Sequence, residues 1–262
     1  MFRFSQTTRN SRKFSLRCTQ FDLNYNEHKY QLLNKIRQKA IILENISDTK
    51  DGIIQSKIGD ILFLTSPSHH ECKKLLVGED VNRYRITFAS RWVDYRPDEM
   101  MAIEKKRGGG GLRLRTRNIF ERKKILTRQT ADRIIAAYDD NSYYYANTLH
   151  GTAVTNTAFD TLFVLGVLNS KLTTWYYRSY SDETGKAFAQ VKIELLRKLP
   201  IPNVNKNYQQ PITNLVRSII EIKRDNPNAL TESIENQIDQ FIYHLYDLSA
   251  DEIGIIEKMG SK

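Results

Sequence analysis

Cysteine is nearly absent. Cys18 and Cys72 are the two among 262 residues, too few for a disulfide framework, and the scarcity points to a reducing compartment, the cytoplasm. Long apolar runs are missing as well. None approaches the roughly 18 to 20 residues that a membrane-crossing helix needs, and Met1 to Cys18 lacks the apolar stretch of a secretory signal. Acid is missing from the first 20 residues, where Arg3, Arg9, Arg12, Lys13 and Arg17 stand among Ser and Thr; this reads as a basic arm. With 40% hydrophobic residues the chain can still bury a proper core without staples.

Motifs that carry chemistry are also wanting. None of the six prolines lies in an Asn-Pro-Pro-Tyr tetrapeptide, which would grip an extruded adenine. No glycine cluster follows a strand and opens a helix, as a nucleotide-like cofactor requires. Gly108 to Gly111 is a run of four, which reads as a loop tip because a regular element would bear a heavy entropy cost there. His69, His70 and Cys72 lack the further ligand that a structural zinc site needs. Pro97-Asp98 followed by Glu104-Lys105-Lys106 formally matches a magnesium nuclease, but the intervening segment is too short for a hairpin between the two halves. The expectation is therefore no catalytic residue, no metal site and no cofactor site in this chain, with a stand-alone Mg-dependent endonuclease using Asp98 and Glu104 as the alternative.

What the sequence does have is positive charge, unevenly placed. The net charge is +10. Residues 83–133 carry fifteen Lys or Arg against six Asp or Glu, whereas residues 207–262 carry five bases against nine acids. A polyanion would be drawn to the middle of the chain and turned away from its end.

Periodicity divides the chain into three: a basic arm and linker helix over 1–40, a β-rich region over 41–202 and a helical region over 203–262. Tyr30, Leu33 and Ile36 share one side of a helix over Glu27 to Ala40. Short β-branched runs follow, at 41–43, 52–54, 61–64, 75–77 and 84–88, then at 124–128, 133–138 and 143–148. Lys105 to Arg107 reads as a basic loop. From Phe159 the period becomes 3.6, predicting one buried helix running toward Trp175. Leu199-Pro200-Ile201-Pro202 is expected to stop regular structure. Helices are predicted over Pro211 to Arg224, Thr231 to Tyr246 and Ser249 to Lys258, the last opening with a Ser249…Glu252 capping box. The aromatic runs Tyr143-Tyr144-Tyr145 and Trp175-Tyr176-Tyr177 read as core, with base stacking as the other use. The fold class is α+β, a mainly β domain covered by a helix and followed by helices.

Four stretches in order carry a family resemblance. They are Gly78-Glu79-Asp80-Val81-Asn82-Arg83-Tyr84; the basic strand Phe120 to Gln129; Leu168-Asn169-Ser170-Lys171-Leu172 with Trp175 to Arg178, Phe188 to Lys192 and Leu199 to Pro202; and Ile238 to Ser249. Together they resemble the TaqI-like C-terminal specificity domain of adenine-specific DNA methyltransferases and type IIG restriction-modification enzymes. The ending is similar to that of type I specificity subunits, and a fragment of such a subunit is a further alternative. Lys123 and Ala189 stand where the family usually has proline, and the four-glycine insertion has no family counterpart. The resemblance implies a double-stranded DNA recognition module that works with a methyltransferase or restriction catalytic subunit, on which S-adenosylmethionine would bind. The C-terminal helices would pack on that protein partner. Arg83, Arg107, Arg113, Arg115, Arg128, Arg133, Arg178, Lys186, Gln190 and Lys192 are the candidate DNA contacts, since Arg and Gln can bond base edges in pairs and Lys can clamp phosphates.

Overall fold

The computed structural model describes residues 20–181 and 189–260. The basic arm before Gln20, and Lys186, lie outside the described residues.

A four-stranded antiparallel sheet organises the chain. Its strands are β2 (Ser47–Asp51), β8 (Lys124–Arg128), β9 (Ala136–Asp139) and β11 (Leu149–Val154), in the order β2-β11-β8-β9. Successive side chains of a strand point to opposite faces, and here both faces are covered. Ile125 and Ala136 enter one hydrophobic cluster, while their neighbours Leu126 and Ala137 enter another. Such two-sided burial explains why β8 and β9 carry apolar residues in succession, Ile125-Leu126 and Ala136-Ala137, rather than in alternation.

Helices cover the first face. Helix α1 (Gln20–Gln38) leads to β1 (Ala40–Ile42); α5 (Thr161–Leu168) and α6 (Lys171–Tyr180) lie next to α8 (Lys206–Asp225), α9 (Glu232–Leu245) and α10 (Ala250–Gly260). The single helix expected from Phe159 to Trp175 is two, because Ser170 leaves helical geometry and caps the second, accepting the Thr173 N–H. Asn169 at the break uses its side-chain amide like a strand edge: Ala136 N–H donates to its Oδ1 at 3.0 Å and its Nδ2 donates to the Ala136 carbonyl at 2.9 Å. Helices α5 and α8 approach closely at Gly166, where a Cβ would stand 2.8 Å from an Ile212 methyl.

The second face carries a smaller lobe. Its sheet runs β10-β4-β7-β3, from β3 (Phe63–Leu64), β4 (Cys72–Leu76), β7 (Trp92–Asp94) and β10 (Tyr144–Tyr145), and the hairpin of β5 (Val81–Asn82) and β6 (Arg85–Ile86) packs against β9 of the central sheet. Residues 61–62, expected to open a strand, instead end one helical turn, α2 (Gly59–Leu62), before β3 begins. The expected basic loop at 105–106 is the end of α3 (Pro97–Lys106), whose proline occupies the first helical turn, where its missing N–H costs nothing. A further turn, α4 (Asn118–Glu121), precedes β8.

Two proline-based expectations fail. Residues 200–202 do not end regular structure; after α7 (Ile193–Arg197) they form β12 (Pro200–Pro202), paired with β1 through Ile41↔Ile201. In a two-stranded ladder alternate residues can lack an N–H, so prolines flanking Ile201 are tolerated. Helix α8 starts at Lys206 behind an Asn205 cap and holds Pro211 inside, one and a half turns before the position assigned from proline. The capping box at Ser249 and Glu252 forms as expected, with N–H to side-chain distances of 2.7 and 3.3 Å.

Candidate functional site

Charge run and surface field are different things in this molecule. Eight of the fifteen cations between residues 83 and 133 form ion pairs within the chain: Arg83, Arg91, Arg96, Arg107, Arg115, Arg117, Arg122 and Lys124. Most partners lie outside that stretch, among them Asp48, Asp51, Asp60, Glu71, Asp139 and Glu235. Arg85, Lys105, Lys106, Arg113, Lys123, Arg128 and Arg133 are in no ion pair among the described residues.

One end of the central sheet collects most of the sequence candidates. Asp51 on β2, His150 on β11 and Thr127 on β8 are register partners in a row, so about 10 Å separates the outer two. Arg115 pairs with Asp51 at one side of this row. Arg128 follows Thr127 at the other, with its Nε buried and unpartnered. The loop 129–135 that joins β8 to β9 extends beyond the row, and the segment 189–192 docks on it. Val191 N–H donates to the Gln129 carbonyl at 2.6 Å, and Thr130 and Gln190 form an antiparallel bridge. The Tyr177 hydroxyl donates to the Gln190 carbonyl at 2.9 Å and accepts the Lys192 N–H at 3.2 Å. This leaves the Gln190 and Lys192 side chains exposed.

His150, which nothing in the sequence singled out, anchors that segment from below. Its Nε2 donates to the Val191 carbonyl at 2.9 Å, leaving Nδ1 buried without a partner. Burial holds the imidazole pKa below its ordinary value, so the ring is a neutral strut.

Arg83, Arg133 and Arg178 line one small cavity with Lys171 and Trp175. Within it Arg178 donates to Asp132 at 2.5 Å, which ties α6 to the loop 129–135. Arg83 donates to the Asn169 carbonyl at 2.6 Å and pairs with Glu235 of α9. The geometry of Arg83 is that of a clamp between hairpin and helices. Arg133 is exposed.

Arg107 and Arg113 belong to the smaller lobe. Arg107 caps α3 and pairs with Asp60 at 2.6 Å, whereas Arg113 is exposed and joins the lobe through backbone bonds to Ile54. The nuclease string is not assembled. Asp98 and Glu104 lie on one helix, α3, and Glu104 is 4% exposed. The Ser56 hydroxyl, with the backbone N–H groups of Gly111, Lys57 and Leu112, holds its carboxyl below the usual range. The glycine run closes over it: a Cβ on Gly109 would stand 2.1 Å from Glu104 Oε1. Among the described residues no group of three or more His, Cys, Asp or Glu could hold a metal ion, and no helix is long and apolar enough to cross a membrane. The aromatic runs are core in the main, with Tyr144, Tyr145, Trp175 and Tyr177 buried.

Comparison with known proteins places this arrangement. No curated protein matches the chain. Among solved structures, the type IIL restriction-modification enzyme MmeI in complex with DNA superposes with a TM-score of 0.57 at 10% identity, over 83% of this chain and 36% of that one. The present chain thus spans about a third of that enzyme, and the likeness is one of fold. The HsdS subunit from Thermoanaerobacter tengcongensis aligns over 86% of this chain and 52% of its own, at 10% identity and a TM-score of 0.35. Residues 73–201, from β4 to β12 and including the whole β8–β9 hairpin and its docked segment, match the family model of the TaqI-like C-terminal specificity domain.

Proposed function

We propose that the chain reads double-stranded DNA for an adenine-specific methylation or restriction-modification system of the type IIG kind, and that methyl transfer is done by a separate catalytic domain or subunit that binds S-adenosylmethionine. The observation that carries this reading is the family match of residues 73–201, which spans the sheet end where Arg128, Arg133, Gln190 and Lys192 come together. MmeI, whose fold is similar, was solved with DNA.

In this reading Arg133, Lys192 and Arg113 clamp phosphates, which sets affinity and salt dependence. Arg128 and Gln190 are the best placed to read base edges, because the hairpin loop and the docked segment hold them on rigid backbone. Each such pair of bonds discriminates a base by roughly 1–3 kcal/mol. Arg83, Arg107, Arg115 and Arg178 act through the ion pairs that shape the surface. Flipping and methylation of the adenine fall to the partner, and the acidic face of α9 and α10 is the part suited to a protein contact. Selection from a random duplex pool at low salt, with and without a catalytic subunit, tests the reading. Enrichment of one short motif is expected; recovery of a random population in both arms would sink it.

A further inference from the structure

A second surface, away from the sheet end, has a different chemistry. Between the β5–β6 hairpin, the turn that follows β9 and the last turns of α8 runs a groove of about 380 Å³, within the ~300–1,000 Å³ of small-ligand clefts. Aromatic rings line it. Phe88 and Tyr143 are stacked with centroids 5.7 Å apart and planes 27° from parallel, and neither ring is buried. Tyr138 lies in the same groove, and Lys74 stands 5.3 Å over Phe88.

Cations form the rim. Arg85, Lys223 and Arg224 line the groove against one carboxylate, Asp140. Arg85 and Lys223 donate to the carbonyls of Pro227 and Ala229, which fixes their position while leaving their charge unmatched by any ion pair among the described residues. Arg224 is exposed. The backbone on both sides adopts conformations unusual for side-chain-bearing residues, with φ of +61° at Tyr84 and +57° at Ser142.

We infer that this groove binds unpaired nucleotides, with a base against the Phe88–Tyr143 pair and the adjoining phosphates on Arg85 and Arg224. Half-buried aromatic rings next to cations suit a single strand, because a base offers its π-face only once it has left its stack. The inference does not rest on the duplex reading proposed above, since its residues are different.

The test is fluorescence anisotropy with a labelled ten-nucleotide single strand of mixed sequence, made as DNA and as RNA, and with the corresponding duplex. The full chain is compared with Tyr143→Ala, Arg224→Glu and, as a charge control outside the groove, Lys258→Glu. Single-strand affinity should fall at least about fivefold in each groove variant and stay unchanged in K258E. Arg224→Glu alters an exposed residue, so it decides the matter should Y143A fail to fold. Loss on the DNA strand alone or on both strands supports the groove and names its substrate. No binding of either single strand, or binding that R224E leaves unaltered, overturns it. Single-strand binding together with a random population in the duplex selection would leave the groove standing and remove the duplex reading instead.

Discussion

Lys124 and Asp139 face each other across the β8–β9 ladder, Nζ 2.5 Å from Oδ2, and are 1% and 0% exposed. Burial pushes the lysine pKa down and the aspartate pKa up, and each partner's charge opposes that for the other. The backbone N–H groups of Asn141 and Tyr143 also donate to Asp139, so the pair locks the turn that forms one wall of the aromatic groove.

Removal of one partner leaves a buried charge uncompensated. Asp139→Ala is expected to cost about 3–5 kcal/mol, whereas replacing both residues by apolar ones of similar volume should recover much of that loss. Urea unfolding midpoints of Asp139→Ala and of the Lys124→Met, Asp139→Leu double variant would measure it. Equal destabilisation in both would refute the account.

Asp239 gives stability a defined pH dependence. Burial raises its pKa from 3.8 to about 6, although its Oδ1 accepts the Lys171 N–H at 2.9 Å. The folded state holds this proton more tightly than the unfolded state, so ionisation favours unfolding. The contribution is present in full below pH 3.8 and is lost as pH rises through about 6. Asp239→Asn keeps an acceptor for Lys171, and the difference in unfolding free energy between variant and parent should grow in the variant's favour from pH 4 to pH 7. A constant difference would contradict the assignment.

His150 has the opposite sign. Its pKa is lowered by burial, so protonation favours unfolding, and the stability it contributes is lost as pH falls below its ordinary value of 6.5. Hydrogen exchange at Val191, whose carbonyl His150 holds, should quicken in His150→Ala and in the parent protein below that pH. Unchanged protection in the variant would remove His150 as the anchor.

Two of the three arginines that line one cavity should separate binding from folding. Arg133 is exposed, and Arg133→Ala should weaken duplex binding about evenly across sequences and reduce the salt slope by about 1. Arg83 pairs with Glu235 and bonds Asn169, so Arg83→Ala should lower the unfolding midpoint and leave the salt slope of the remaining folded protein unaltered. The reverse pattern in anisotropy and thermal unfolding would exchange their roles.

How much of this was legible beforehand differs by element. Strands β2 and β11 of the central sheet fall outside the runs expected from periodicity, whereas β8 and β9, the C-terminal helices and the Ser249 cap follow local rules of period and capping and stand close to where these rules put them. Residues 61–62, α3 and β12 do not. In each of these, tertiary partners override a weak local signal: the cap that α2 and α3 form on the small lobe, and the β1 edge that accepts Pro200 and Pro202. Arg83 and Asn169, which lie in two of the family-like stretches, meet in space where Arg83 donates to the Asn169 carbonyl.

By itself the sequence determined the fold class and the excess of cations in the middle of the chain, both of which depend on residue type and local spacing. Only the tertiary structure decided which cations remain available, because Asp48, Asp51, Asp60, Glu71 and Glu235 reach their arginines from distant segments. It also decided that His150 carries the 189–192 segment and that Phe88 stacks on Tyr143 beside Arg85. Electrostatic pairing and ring packing act over a few ångströms of space, and separation along the chain does not encode that distance.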